Sequence, residues 1–181
     1  MNWGFEEGKW SVEEIPVDKG IGEVVLIDVS ERALKDPDYQ INVEDVTNWE
    51  QKYGQIPDDA LVFFKTGYGQ FWPDKEKYMG TAERGPEAVA KLHFPGIHPE
   101  LATWFPKNRK IKAVGLDTPS IDYGQSTLFE SHQFLYEHNI LGFENLANLD
   151  LLPPKGAFVI ALPMKIKGGS GGPLRAVALL P

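Results

Sequence analysis

The chain has no cysteine among its 181 residues, so it carries neither a disulfide framework nor a thiolate able to attack a carbonyl or bind a metal. It also lacks any apolar run of membrane-spanning length. The first residues show no basic patch followed by a hydrophobic segment, so neither a membrane partner nor a secretory leader is expected. Basic residues are in deficit: 18 Lys and Arg against 26 Asp and Glu leave a net charge of −8, with no compensating basic stripe. Nucleic acid is therefore not an expected partner. The densest basic stretch, Lys107 to Lys112, reads as a solvated turn before a strand. Internal repeats and low-complexity segments are missing too. What remains is a single domain over residues 1–181, cytoplasmic by these exclusions, whose 42% hydrophobic content supports one sizeable core.

Several segments read as elements of a mixed sheet flanked by helices. Gly22 to Val29, Ala60 to Lys65, Ile111 to Leu116 and Ala157 to Leu162 are apolar runs of the kind buried on both faces, and Arg175 to Leu180 supplies a last strand. Asn42 is a plausible N-cap for a helix through about Tyr53, with Glu44 and Asp45 in its first turn and Gly54 after its end. Val43, Val46, Trp49 and Tyr53 repeat at helical spacing and should pack on the sheet. A short helix should follow Pro99 through about Phe105. From Tyr68 to Gly96 the sequence is irregular and aromatic: such a loop either covers a pocket or seals its own small core. The Lys165 to Gly172 loop lacks the ending of a phosphate-binding loop and is a tight connection between strands. His93 is expected on a backbone hydrogen bond, His98 near a helix start and His138 at a helix C-terminus.

The chemistry-bearing stretch runs from Gly115 to Leu146. A buried strand empties into a polar loop holding Asp117, Ser120 and Asp122, and a short helix carries His132. The chain then returns through Ile140, Leu141 and Phe143 to Glu144. His132 and Glu144 are too far apart to share a helix face, but a helix that folds back into a strand brings them together. An imidazole beside a carboxylate is half of a divalent-metal site, or a general acid/base pair. The same two residues also suit a structural role, His132 capping a helix and Glu144 accepting hydrogen bonds in the core.

Asp117 to Asp122 (D-T-P-S-x-D), the His132 to Glu144 interval, Glu144 to Leu149 (E-N-L-x-N-L), the tail from Ala161 to Arg175, Lys65 to Gly67 (K-T-G) and His93 to Gly96 (H-F-P-G) together resemble the cyclase family. That family includes bacterial kynurenine formamidase and isatin hydrolase, and the likeness runs from about Phe5 to the end. The resemblance implies an α/β fold of the swivelling β/β/α kind, a homodimer or larger oligomer in which neighbouring chains help line the site, and zinc or manganese opening an amide or lactam bond. His132 and Glu144 stand at positions of family metal ligands. Asp117, Ser120, Asp122 and Gln125 become candidates for the shell behind them, and Arg175 for a substrate contact.

The family's main motif, H-x-G-T-H-x-D-x-P-x-H, should lie just before F-x-x-G-x-W. Here Phe5 to Trp10 (F-E-E-G-K-W) follows only four residues, with Gly4 where the motif's last histidine would stand. The expectation is therefore an N-terminally truncated family domain with weak metal binding and negligible turnover. Two readings follow: a metal-dependent hydrolase of the kynurenine-formamidase type, in tryptophan catabolism, or a non-catalytic subunit of an oligomer.

Overall fold

Two apolar runs, Val24 to Ile27 and Leu61 to Phe64, lie side by side in the middle of a sheet and are covered on both faces, which is why neither alternates with polar residues. The structure, a computed structural model, describes residues 9–181. Its elements are β1 (Ile21–Asp28), α1 (Ser30–Ala33), β2 (Gln40–Ile41), α2 (Val43–Tyr53), β3 (Leu61–Lys65), α3 (Lys75–Met79), β4 (Gly96–Ile97), α4 (Pro99–Asn108), β5 (Ala113–Leu116), α5 (Glu130–Glu137), β6 (Leu141–Phe143), β7 (Ala157–Pro163) and β8 (Leu174–Leu179). The main sheet runs β6-β5-β3-β1-β7-β8. β1, β3, β5 and β6 are parallel, and β7 and β8 are antiparallel additions at one side. β2 and β4 pair separately, an element the sequence reading missed because each is two residues long.

The period of two along the strands divides the core. Val25, Ile27, Val62, Phe64, Val114 and Leu116 face the helices and pack with Val46, Trp49, Leu101, Phe105 and Leu135. Val24, Leu26, Leu61, Phe63 and Ala113 face the other way and pack with Phe143, Leu146 and Val159. α2 starts as its sequence requires: the Asn42 side chain accepts from the N–H groups of Glu44 and Asp45, while Asp45 accepts from the N–H of Asn42.

The irregular aromatic stretch seals a small core of its own, with Tyr68, Tyr78 and Phe94 buried against Phe71, Met79 and Leu92. β8 ends the sheet at one side, where a last strand was expected. It is an edge strand, exposed along nearly its whole length, and Val177, Leu179, Phe158 and Leu162 leave an apolar face open.

The parallel strands all end at one edge of the sheet, where ligands of open α/β folds generally bind. Asp117 follows β5 there and organises the loop after β3. Its Oδ1 accepts from Thr66 N (2.8 Å) and Thr66 Oγ1 (2.7 Å), and its Oδ2 from Gly67 N (3.0 Å) and Gly69 N (3.2 Å). Gly67 is needed in that loop because its φ is +82°. Replacing Asp117 by Asn substitutes an amine for one acceptor and strands buried N–H groups. It should cost about 2–4 kcal/mol in urea unfolding. A loss below ~0.5 kcal/mol would remove Asp117 from this role.

Candidate active site

α5 is eight residues long and begins at Phe129, which adopts a left-handed conformation and provides no side-chain cap. The cap comes from Asp122. This carboxylate, 3% exposed, accepts from Ser131 N (3.0 Å) and His132 N (3.2 Å), neutralising the positive end of the helix. The same carboxylate accepts from Nδ1 of the His132 ring. On the opposite side of the ring Nε2 lies 3.1 Å from Glu144 Oε1, in the turn after β6. α5 folding back into β6 thus brings together the two residues expected to meet.

A ring held between two carboxylates must donate from both nitrogens, so it is an imidazolium. Burial opposes that charge, but the hydrogen bonds and charges of Asp122 and Glu144 outweigh it, and the pKa is pushed up to about 9. The imidazole expected beside a carboxylate thus holds its proton, which makes it a poor general base near neutrality. Glu144 also departs from the expected buried acid. Its side chain is 32% exposed, and its Oε1 further accepts from Ile121 N at 3.2 Å.

The loop carrying Asp122 is fixed on its other side by the chain around β4. Ile97 N donates to Ile121 O, Gly124 N to Phe94 O, and Ser131 Oγ to Ile97 O. Gly96 passes so close that a Cβ there would come within 2.3 Å of the Asp122 carbonyl carbon. Ser120 belongs to the same support, its Oγ accepting from Asp122 N at 3.2 Å.

The remaining candidates lie elsewhere. Asp117 braces the loop after β3, as described above. Gln125 turns away to His93, its Nε2 lying 3.1 Å from His93 Nδ1, and that nitrogen is 2.9 Å from both Asp38 carboxylate oxygens. His93 is therefore held by side chains and not by backbone as expected. Arg175 alternates along β8 with Leu174 and Ala176, which line the groove below, so it belongs to the opposite face. His98 caps α4, accepting from Glu100 N, and His138 Nδ1 donates to Phe134 O at the end of α5.

His132 and Glu144 open onto a groove of about 1110 Å³, walled by Trp10, Ile15, Tyr136, Phe143 and Leu174. β6 and β8, at opposite ends of the strand order, both line it, so the sheet curls around the groove. Two aromatic residues here were missed. Tyr78 Oη lies 3.1 Å from Asp117 O and 3.1 Å from Asn145 Oδ1, tying the two loops together. Tyr136, one turn after His132, packs edge-on against its ring at 5.4 Å. Burial, then the charges of Glu144 and Asp122, push its phenol up, so it stays protonated. The i, i+4 spacing of His132 and Tyr136 was the available signal.

Comparison with known proteins fits this geometry. The Cyclase family profile matches residues 2–123. The chain belongs to the cyclase family. Isatin hydrolase of Roseibium aggregatum is 34% identical over 173 residues, covering 93% of the chain and 63% of that protein. Kynurenine formamidase of Salinibacter ruber is 31% identical over 167 residues, covering 92% and 66%. The chain thus spans just under two thirds of these curated relatives. A crystal structure described as an isatin hydrolase bound to the product analogue thioisatinate superposes with a TM-score of 0.88 at 31% identity, covering all of this chain and 68% of the other. The cyclase-type fold is therefore shared. The segment Met1 to Gly8, including Gly4 and most of F-E-E-G-K-W, lies outside the described residues.

His132 Nε2 and Glu144 have the character of metal ligands, and Asp122 behind Nδ1 is the carboxylate that such a histidine usually carries. Among the described residues, however, no group of three His, Cys, Asp or Glu is placed so that it could hold a metal ion. A catalytic zinc takes three protein donors. The described residues alone do not fit a complete metal centre.

The raised pKa has a stability consequence. A His whose folded pKa exceeds its unfolded value stabilises fully below about pH 6.5 and loses that contribution as pH rises through about 9. In metal-free protein, His132→Gln should lie on the order of 3 kcal/mol below wild type at pH 6, with the gap narrowing by pH 10. A gap that is constant or widens with pH would contradict the imidazolium.

Proposed function

We propose that this chain is a hydrolase module of the cyclase family acting on the C–N bond of a small aromatic amide, either the lactam of isatin or the formamide of N-formylkynurenine. The observation that carries the reading is the Asp122–His132–Glu144 chain at the mouth of an aromatic-walled groove. Relatives named isatin hydrolase and kynurenine formamidase support the substrate class. In this reading Trp10 and Phe143 receive the ring, Asp122 fixes the orientation of the His132 imidazole, and His132 holds a proton against Glu144. A divalent ion, zinc or manganese, belongs to the proposal only with further donors from outside the described residues, since His132 and Glu144 offer two. We also propose a homo-oligomer in the cytoplasm without a membrane partner, and without a nucleic-acid partner, against which the net charge of −8 argues. No helix among the described residues is long and apolar enough to cross a membrane.

A second reading, a non-catalytic subunit of a mixed oligomer, is favoured by the exposed apolar face of β7 and β8. Metal content per chain, measured on protein purified without chelator, tests the first reading together with isatin and N-formylkynurenine hydrolysis before and after adding zinc or manganese. Well under one metal per isolated chain and no turnover are expected, while isatin should still perturb the NMR signals of His132 and Phe143. Stoichiometric metal with turnover would show the donor set to be complete without a partner. Absence of any isatin effect would remove the proposed ligand class.

A further inference from the structure

The fold leaves the Tyr136 hydroxyl unused. Among the described residues it makes no hydrogen bond, whereas the hydroxyls of Tyr39 and Tyr78 are engaged by Asp45 and by Asp117 and Asn145. The ring is nonetheless held firmly. It packs against the helix-side core and meets the His132 ring edge-on at 5.4 Å with an interplanar angle of 87°. Its oxygen fits only because residue 142 is glycine: a Cβ there would lie 2.8 Å from Tyr136 Oη. Tyr136, Gly142, His132 and Glu144 all line the groove. A phenol fixed in place without a protein acceptor, beside an oriented histidine and on the wall of the groove, is free to donate to whatever the groove holds.

We infer that Tyr136 is a ligand-recognition residue of the groove, its hydroxyl donating a hydrogen bond to a carbonyl oxygen of a neutral amide. The inference rests on the proposed function for the groove and the ligand class, and adds which group selects the carbonyl. Local charge favours a neutral ligand over a carboxylate: the carboxylates of Asp122 and Glu144 both flank the His132 ring beside the phenol and would repel a third. His132 is already committed at both nitrogens, so Tyr136 is the donor with capacity to spare.

The test compares two probes, isatin and indole, which share a fused aromatic frame but differ in the carbonyls. Dissociation constants are measured by NMR titration for wild type and Tyr136→Phe, a change that keeps the ring and its contact with His132. Isatin should weaken about fivefold to tenfold in the variant while indole changes less than twofold. Should the Phe variant fail to fold, Gly142→Ala displaces the hydroxyl with Tyr136 intact and should produce the same selective loss. Equal affinity of wild type and variant for isatin, or an equal loss for both probes, would overturn the role of Tyr136 while leaving the groove as the binding site. Wild type that binds neither probe would overturn the inference together with the function it rests on.

Discussion

The buried carboxylate of Asp122 is the group on which the candidate site depends. It joins a helix start, a loop and an imidazole in one hydrogen-bonded unit, accepting from Ser131 N, His132 N and the His132 ring. An unpaired carboxylate at 3% exposure would be strongly destabilising, and here the helix N-terminus and the imidazolium offset the cost together. Neither partner can be removed without stranding the other. Orientation of His132 is therefore written into the fold and does not wait for a ligand.

The rest of the carboxyl edge is organised around this unit. Asp117 holds the loop after β3, Tyr78 ties Asp117 to Asn145, and Asn145 N donates to Thr118 O, so the turns after β5 and β6 are hydrogen-bonded to each other. Asn145 and Asn148 both take positive φ in the turn that carries Glu144, a conformation asparagine tolerates better than most residues. What the edge does not hold is a third donor beside His132 and Glu144 among the described residues. What the edge does hold is a preorganised pair of donors at the mouth of a groove bordered by two sheet edges.

Much of this was legible in the sequence, for identifiable reasons. Val24 to Ile27 and Leu61 to Phe64 announce buried strands because both of their faces are covered, and Asn42 announces α2 because its cap is local. The pairing of His132 with Glu144 followed from a helix returning into a strand. Asp122, a candidate for the shell behind His132, lies against its Nδ1. Gln125 is three residues from Asp122 but its loop turns toward His93, and Arg175, a candidate substrate contact, is carried by the strand period to the far face of β8. The charge state of His132 was not legible either. It depends on Asp122 and Glu144 flanking the ring from opposite sides, which only the three-dimensional arrangement reveals. Tyr136 escaped notice because an aromatic residue at helical spacing ordinarily reads as core.

The most direct test of this account is the titration of the His132 ring by NMR in metal-free wild type and in Asp122→Asn. The ring should titrate near pH 9 in wild type and fall toward the ordinary histidine value of about 6.5 once the Asp122 charge is removed. A wild-type ring titrating at the ordinary value, unmoved by the substitution, would contradict the account. Asp122 would then be no more than a helix cap, and the candidate site would lose its centre.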